Sequence, residues 1–237
     1  MPGRPRLCLL PGLDGTGRLY APLSAELADV AEVDVLSYDG TRFQDYPSLA
    51  DTLAQSVRRQ GDVVLVAESF AGPLGVLLAH RHPDRIRALV MAASFVRSPL
   101  PFTRIGAAIL QRVPAVAPPL FALERVLAGS GLPPTLHAEF DAIVRSIPLQ
   151  VLRQRALAAL RVDVREHLAS LDMPVLYLQA RHDRLIRPSA GREVLRLARQ
   201  ARHAVIDAPH FLFQMAPRAA AAGIRTFLGE IGARAPS

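Results

Sequence analysis

The sequence predicts an α/β fold, in which a mostly parallel sheet of about six strands carries helices on both faces. Short apolar or β-branched runs alternate with longer segments of helical spacing along most of the chain, a pattern typical of successive β-α-β units. Half of the 237 residues are hydrophobic, which is enough to build one sizeable core. The alternation breaks once, over residues 98–165.

Six runs fit buried parallel strands, because each is short, apolar and bounded by turn residues. The predicted strands are Arg6–Leu10, Glu32–Ser37, Val63–Ala67, Ile86–Ala92, Val175–Gln179 and Ala204–Ile206. Between them lie segments with helical spacing or helix-forming composition. These predicted helices are Leu19–Ala28, Leu49–Arg59, Pro73–His80, Ala190–Arg199 and Ala216–Leu228.

Residues 98–165 predict an inserted helical cap, and residues 1–97 and 166–237 form the core domain. Prolines recur through the cap, at 99, 101, 114, 118, 119, 133, 134 and 148. Because proline is tolerated at helix ends but not in helix interiors, these residues punctuate about four short helices. Apolar cap residues are expected to form a small core of their own or the wall of an acyl pocket. They are Phe102, Ile105, Ile109, Leu110, Phe121, Leu127, Phe140 and Ile143.

The composition indicates which partners and which cellular location are expected. The formal net charge is +7 and all 28 basic residues are arginine, yet they are scattered and form no basic stripe with interleaved aromatics, so nucleic-acid binding is not expected. The single cysteine, Cys8, cannot form an internal disulfide. The apolar stretch near the N-terminus is too short for a signal sequence or a membrane span, and a cytoplasmic location is expected.

Ser69 is the candidate nucleophile. It directly follows a buried strand and precedes a helical segment, and a serine on such a tight strand-to-helix turn projects its hydroxyl above the sheet. Small residues are needed two positions to either side, and Ala67 and Ala71 supply them where glycine is usual. A serine in this position could instead cap the following helix.

A serine nucleophile needs a general base and a third group that orients the base. Among the histidines, only His182 and His210 follow predicted strands, and His210 lies between the last strand and the last helix. Asp183 directly follows the penultimate strand, at the same edge of the sheet. Asp207 is the alternative acid, although its closeness to His210 favours a role in shaping that loop.

Two backbone N–H groups are candidate donors to an oxyanion. One is that of Phe70, directly after the nucleophile, and the other is that of Leu13 in the glycine-rich loop after the first strand. Gly12 is expected to let this loop turn, and Asp14 to tie it down. The loop could be misread as a dinucleotide fingerprint, but its glycine spacing differs from that motif.

The glycine loop, the turn at Ser69, the cap and the order Ser69, Asp183, His210 together resemble the α/β-hydrolase superfamily over nearly the whole chain. The resemblance implies a serine carboxylesterase that needs no cofactor and no metal. Small esterases that act on pimeloyl-acyl-carrier-protein methyl ester in biotin synthesis look similar, and they bind an acidic acyl carrier protein through basic cap residues. By that resemblance the candidate carrier contacts are Arg153, Arg155 and Arg161.

The sequence also departs from the commonest pattern of this superfamily. Pro11-Gly12 replaces the usual His-Gly, alanine replaces both glycines around Ser69, and the usual N-terminal strand pair is missing. Three alternatives therefore stay open. They are thioester hydrolysis, acyl transfer to an alcohol as in plant-type acyl-ester synthases, and a non-catalytic scaffold that binds a ligand or partner.

Overall fold

A computed structural model describes residues 4–99 and 119–233 of the chain. Six strands form one parallel sheet in the order β2-β1-β3-β4-β5-β6. The strands are β1 Arg6–Leu10, β2 Glu32–Val35, β3 Val63–Glu68, β4 Ile86–Ala92, β5 Pro174–Ala180 and β6 Gln200–Ile206. The predicted fold class is confirmed.

The helices cover both faces of the sheet and the edge above it. They are α1 Ala21–Leu27, α2 Tyr46–Arg59, α3 Ala71–Arg81, α4 Leu120–Leu127, α5 Pro134–Ser146, α6 Leu149–Arg161, α7 Arg165–Ala169, α8 Pro188–Leu197, α9 Leu212–Met215 and α10 Pro217–Gly232. A short 3-10 turn, Arg18–Tyr20, precedes α1. In the part of the chain that is described, no helix is both long enough and apolar enough to cross a bilayer.

Two apolar layers sandwich the sheet, because successive side chains of a strand point to opposite faces. In β3, Leu65 and Ala67 belong to the layer under α2 and α3, whereas Val64 and Val66 belong to the layer under α1 and α10. Cys8 is fully buried in the first layer, and burial raises the pKa of its thiol to about 12. Parallel strands covered on both faces explain the continuous apolar runs in the sequence.

The described part of the segment that was predicted to be a cap, called the cap below, packs above the carboxyl ends of the strands. Its described helices α4, α5 and α6 enclose a third apolar cluster, which also includes the core residue Leu19. The buried members are Leu19, Phe140, Ile143, Ile147 and Val151. Phe121 was expected in a core or pocket, but 74 % of it is exposed, so that expectation was wrong. The cap residues Phe102, Ile105, Ile109 and Leu110 lie outside the described residues.

The last strand begins earlier than its sequence predicts, at Gln200 rather than at Ala204. It forms an edge of the sheet, and side chains on both of its faces stay accessible, since Arg202 is partly exposed and His203 is exposed. Polar residues at an edge strand weaken the apolar signal on which the prediction depended. The additional residues pair with the start of β5, and the pairing of Ile206 with Ala180 places the end of β6, and the His210 loop that follows it, beside the end of β5.

Candidate active site

Ser69 lies on a strained turn between β3 and α3. Its φ angle is 53°, a left-handed conformation that is uncommon for residues other than glycine. The turn is anchored from both sides, since the Ser69 N–H donates to the Ala92 carbonyl at 2.9 Å and the Ser94 hydroxyl donates to the Ser69 carbonyl at 2.6 Å. The serine hydroxyl is therefore held at the carboxyl edge of the sheet.

Ser69, His210 and Asp183 form a chain of hydrogen bonds across three loops. The Ser69 Oγ lies 2.8 Å from His210 Nε2, and His210 Nδ1 lies 2.8 Å from Asp183 Oδ2. The His210 and Asp183 side chains are each only 3 % exposed. The other carboxylate oxygen of Asp183 accepts the N–H groups of Leu185 and Ile186 at 2.8 and 2.9 Å, so the aspartate is fixed in orientation.

His182 and Asp207, the other histidine and aspartate near this edge of the sheet, pair with each other instead. Asp207 Oδ1 lies 2.7 Å from His182 Nε2, and both side chains are mostly exposed. Asp183, in the loop after β5, reaches the buried imidazole of His210. Asp207, three residues before His210, points to the surface. The structure thus brings together the three residues chosen from the sequence and leaves His182 and Asp207 outside the chain.

The two candidate oxyanion donors belong to peptides whose carbonyl oxygens are bound by side-chain hydroxyl groups. Ser94 binds the carbonyl of the Ser69–Phe70 peptide, and the Tyr38 hydroxyl contacts the carbonyl of the Gly12–Leu13 peptide. In a planar trans peptide the N–H points opposite to the C=O, so the N–H groups of Phe70 and Leu13 are aimed away from these anchors. Neither N–H donates a hydrogen bond to another described residue.

The glycine loop lies over the serine, but its essential glycines differ from the one predicted. A Cβ placed on Gly12 would meet Ser69 Cβ at an ordinary 4.0 Å. Gly15 and Gly17 instead have φ angles of 77° and 67°, and a Cβ there would collide with Tyr38 and Val35. Asp14 ties the loop down as expected, since its carboxylate accepts the Thr16 N–H at 2.8 Å.

An apolar cavity of about 440 Å³ opens above Ser69, between the cap and the sheet. This volume lies in the range of roughly 300–1,000 Å³ that is usual for small-molecule sites. Ser69, His210 and the loop residues Gly12 and Leu13 line its floor. Its walls are formed mainly by apolar side chains, among them Leu123, Phe140, Val144, Leu152, Ala156 and Leu160.

Glu68 is a functional candidate that the sequence analysis missed. It immediately precedes Ser69, lines the cavity and is only 4 % exposed. Burial raises the pKa of its carboxyl to about 7, against the opposing effects of a hydrogen bond from Gln214 and the nearby His210. The signal was available, because a carboxylate at the end of a wholly apolar strand is unusual.

Arg155 was expected to bind a carrier protein, and the structure contradicts that expectation. The side chain is completely buried, so it cannot reach the surface of a macromolecular partner. Its guanidinium donates to carbonyl groups of the core domain. Of the other two candidates, Arg153 is partly exposed and Arg161 is exposed.

Comparison with solved structures shows the fold over almost the whole chain. The enol-lactonase from Burkholderia xenovorans LB400 is similar with a TM-score of 0.81 and 20% identity, covering 96% of this chain and 92% of that chain. A thermophilic esterase from Thermogutta terrifontis gives 0.79 and 23%, covering 97% and 90%. A putative lipase from Acinetobacter baumannii AYE gives 0.82 and 19%, covering 98% and 86%. At these identities the likeness concerns the fold alone.

The comparison with curated proteins found no match. Within the described ranges, no group of three or more His, Cys, Asp or Glu side chains is arranged to hold a metal ion. A family model described as serine aminopeptidase, S33, matches residues 31–215, a span that includes β2 to α9 and all three members of the Ser69 hydrogen-bond chain. The chain therefore belongs to the S33 serine aminopeptidase family of α/β-hydrolases.

Proposed function

We propose that this hydrolase cleaves carboxylic esters of apolar acids through an acyl-enzyme on Ser69. The observation that carries the proposal is the buried chain Ser69–His210–Asp183, with 2.8 Å at each step, at the floor of an apolar cavity. A serine so placed has its base within hydrogen-bond reach and its base oriented by a carboxylate.

In the proposed reaction the Ser69 Oγ attacks the ester carbonyl while its proton passes to His210 Nε2. His210 donates its Nδ1–H to Asp183, which stabilises the imidazolium. The oxyanion of the tetrahedral intermediate accepts hydrogen bonds from the N–H groups of Phe70 and Leu13. The C–O bond breaks, His210 protonates the departing alcohol, and water then hydrolyses the acyl-enzyme with His210 again as the base.

The cavity supports an ester with an apolar acyl group over a peptide with a free amino terminus. An ammonium group needs an ionised carboxylate close by. Of the acidic side chains that line the cavity, Asp14 accepts hydrogen bonds from the N–H and the hydroxyl of Thr16. Glu68 has a raised pKa because it is buried, which favours its neutral form. An apolar acyl chain has no such requirement.

The proposal predicts Ser69-dependent hydrolysis of p-nitrophenyl esters and labelling by a fluorophosphonate. Ser69→Ala should lose both, with kcat lower by at least about a thousandfold. Asp183→Asn should lower kcat by roughly a thousandfold or more, because the imidazole loses its orienting acceptor. Equal rates for wild type and Ser69→Ala would instead support the non-catalytic scaffold.

Asp207→Asn is the matched control for Asp183→Asn, since it makes the same change in an aspartate that pairs with the exposed His182. Its kcat should stay within about twofold of wild type. Slow hydrolysis of the ester together with fast hydrolysis of aminoacyl p-nitroanilides would contradict the choice of substrate.

A carrier-linked ester, such as a pimeloyl-acyl-carrier-protein methyl ester, is a narrower form of the same proposal. Arg161 at the end of α6 and Arg153 supply its remaining candidate contacts, and the net charge of +7 favours attraction of an acidic carrier. Charge reversal at Arg161 should then raise KM for the carrier-linked ester at low salt and leave p-nitrophenyl esters unaffected.

A further inference from the structure

Arg155 reaches from the cap into the loop that supplies one oxyanion donor. It lies in the middle of α6, and its Nη1 donates to the Leu13 and Asp14 carbonyls, each at 3.0 Å. Its Nη2 donates to the Asp39 carbonyl in the loop after β2. Burying a guanidinium is costly unless it is hydrogen-bonded, so these carbonyl groups and the arginine constrain one another.

Tyr38 completes the same cluster. Its ring centroid lies 4.9 Å from the Arg155 guanidinium carbon, in a cation–π contact. Its hydroxyl contacts the Pro11 carbonyl at 2.8 Å and the Gly12 carbonyl. Two side chains therefore contact four successive carbonyl oxygens of the loop, from Pro11 to Asp14, and the single O–H of Tyr38 is shared between the first two.

This arrangement determines where the Leu13 N–H points. The Leu13 N–H lies between two held carbonyls, that of Gly12 in its own peptide and that of Leu13 in the next. Because each peptide is planar, fixing both carbonyls leaves the N–H little freedom to rotate. Donors that are fixed before the reaction stabilise an oxyanion without reorganisation.

We propose that Arg155 is a positioning residue through which the cap holds the Leu13 N–H in the geometry that stabilises the oxyanion. This inference rests on the proposed function, since it concerns the transition state of that reaction. Arg155 does not touch the substrate. Removal of its guanidinium should therefore weaken transition-state stabilisation much more than substrate binding.

The test compares Arg155→Met with wild type on a p-nitrophenyl ester and on two inhibitors. We expect kcat to fall by roughly ten- to hundredfold, less than for outright loss of an oxyanion donor, with KM within about threefold. A hexyl trifluoromethyl ketone, which forms an oxyanion on the serine, should lose affinity by a similar factor. Octanol, which forms none, should bind as in wild type.

Three further variants keep the test decisive. Arg145→Met removes an exposed cap arginine that pairs with Asp141, and it should behave as wild type. Tyr38→Phe keeps the ring but removes the hydroxyl that holds Gly12, and it should reproduce the selective loss of kcat even if Arg155→Met fails to fold. Added guanidinium at millimolar concentration should partly restore kcat in Arg155→Ala.

The outcomes separate this inference from the proposed function. If wild type shows no Ser69-dependent turnover, the proposed function fails. If wild type is active but folded Arg155→Met keeps its kcat and its affinity for the ketone, or if it loses octanol and ketone binding equally, the positioning role is overturned.

Discussion

Glu68, the residue immediately before the candidate nucleophile, is unusual because its carboxyl group is buried. Its carboxyl is buried beside Gln214, whose Nε2 donates to Oε2 at 3.2 Å. Its other oxygen has no hydrogen-bond partner in the described part of the chain. A buried charge with incomplete hydrogen bonding is destabilising, and this explains why the pKa is raised from 4.5 to about 7.

Glu68 should make the stability of the protein fall with rising pH. A carboxyl whose pKa is raised on folding binds its proton more tightly in the folded state, so its contribution is fully present below pH 4.5 and is lost by about pH 7. At about 1.4 kcal/mol per pH unit, the loss is about 3 kcal/mol. Urea unfolding of wild type and Glu68→Gln at several pH values measures it.

The test depends on the difference in unfolding free energy between Glu68→Gln and wild type. The free energy of unfolding of Glu68→Gln relative to wild type should rise between pH 4.5 and 7 and stay level above. The exposed Glu166→Gln on α7 is the control and should follow the wild-type curve. Parallel curves for wild type and Glu68→Gln would show that Glu68 does not titrate in this window.

The passage from β3 to α3 depends on close packing between neighbouring elements. Small residues are required here at more positions than Ala67 and Ala71, the two that the sequence suggested. A Cβ on Gly72 would lie 1.8 Å from Ser94 Oγ, and one on Gly75 would lie 3.0 Å from Ala67 Cβ. Glycines within α3 thus leave room for Ala67 and Ser94, which explains why alanine is tolerated beside the nucleophile.

Gly72→Ala should disturb this passage. The new methyl group requires Ser94 to move, and overpacking of this kind typically costs about 1–3 kcal/mol of unfolding free energy. Ser94 also holds the Ser69 carbonyl, so activity should fall as well. Thermal unfolding and ester hydrolysis measure the two effects.

Gly229→Ala is the matched control, because a Cβ in that part of α10 would meet nothing within 4 Å. It should be neutral or stabilising by roughly 0.5–1 kcal/mol, since alanine favours a helix over glycine. Adding Ser94→Gly to Gly72→Ala should recover stability but not the hydrogen bond to Ser69. A Gly72→Ala protein as stable and active as wild type would refute the steric argument.

The elements differ in how far the sequence determines them. The central strands were predictable, because a strand buried on both faces must be apolar throughout. Asp183 could be chosen because it follows such a strand, and His210 because it lies between the last strand and the last helix. The role of Arg155 was not predictable. An arginine on an amphipathic helix is normally solvated, and only the tertiary approach of Leu13, Tyr38 and Asp39 buries it.

At the scale of the whole molecule, the described cap helices are attached to three loops of the candidate site, those of Leu13, Asp183 and His210. Arg155 holds the loop of Leu13. Arg184, directly after Asp183, donates to the Arg125 carbonyl of α4 at 3.0 Å, and the Phe211 N–H, directly after His210, donates to the Leu127 carbonyl at 2.8 Å. The described cap helices therefore form a fixed wall of the cavity, and their side chains should set the length of the acyl group.

Ala156 offers a direct test of that wall, because it faces the cavity from α6. Ala156→Phe adds a ring to the cavity and should lower kcat/KM for a p-nitrophenyl decanoate by roughly ten- to hundredfold relative to the butyrate, in keeping with the cost of a few excluded methylenes. Gln154→Phe adds the same ring on the outer groove of α6 and should leave the ratio of the two esters unchanged. A ratio that moves equally in both variants would mean that the ring acts through general distortion of α6, whereas a ratio that moves in neither would place the acyl chain outside the cavity.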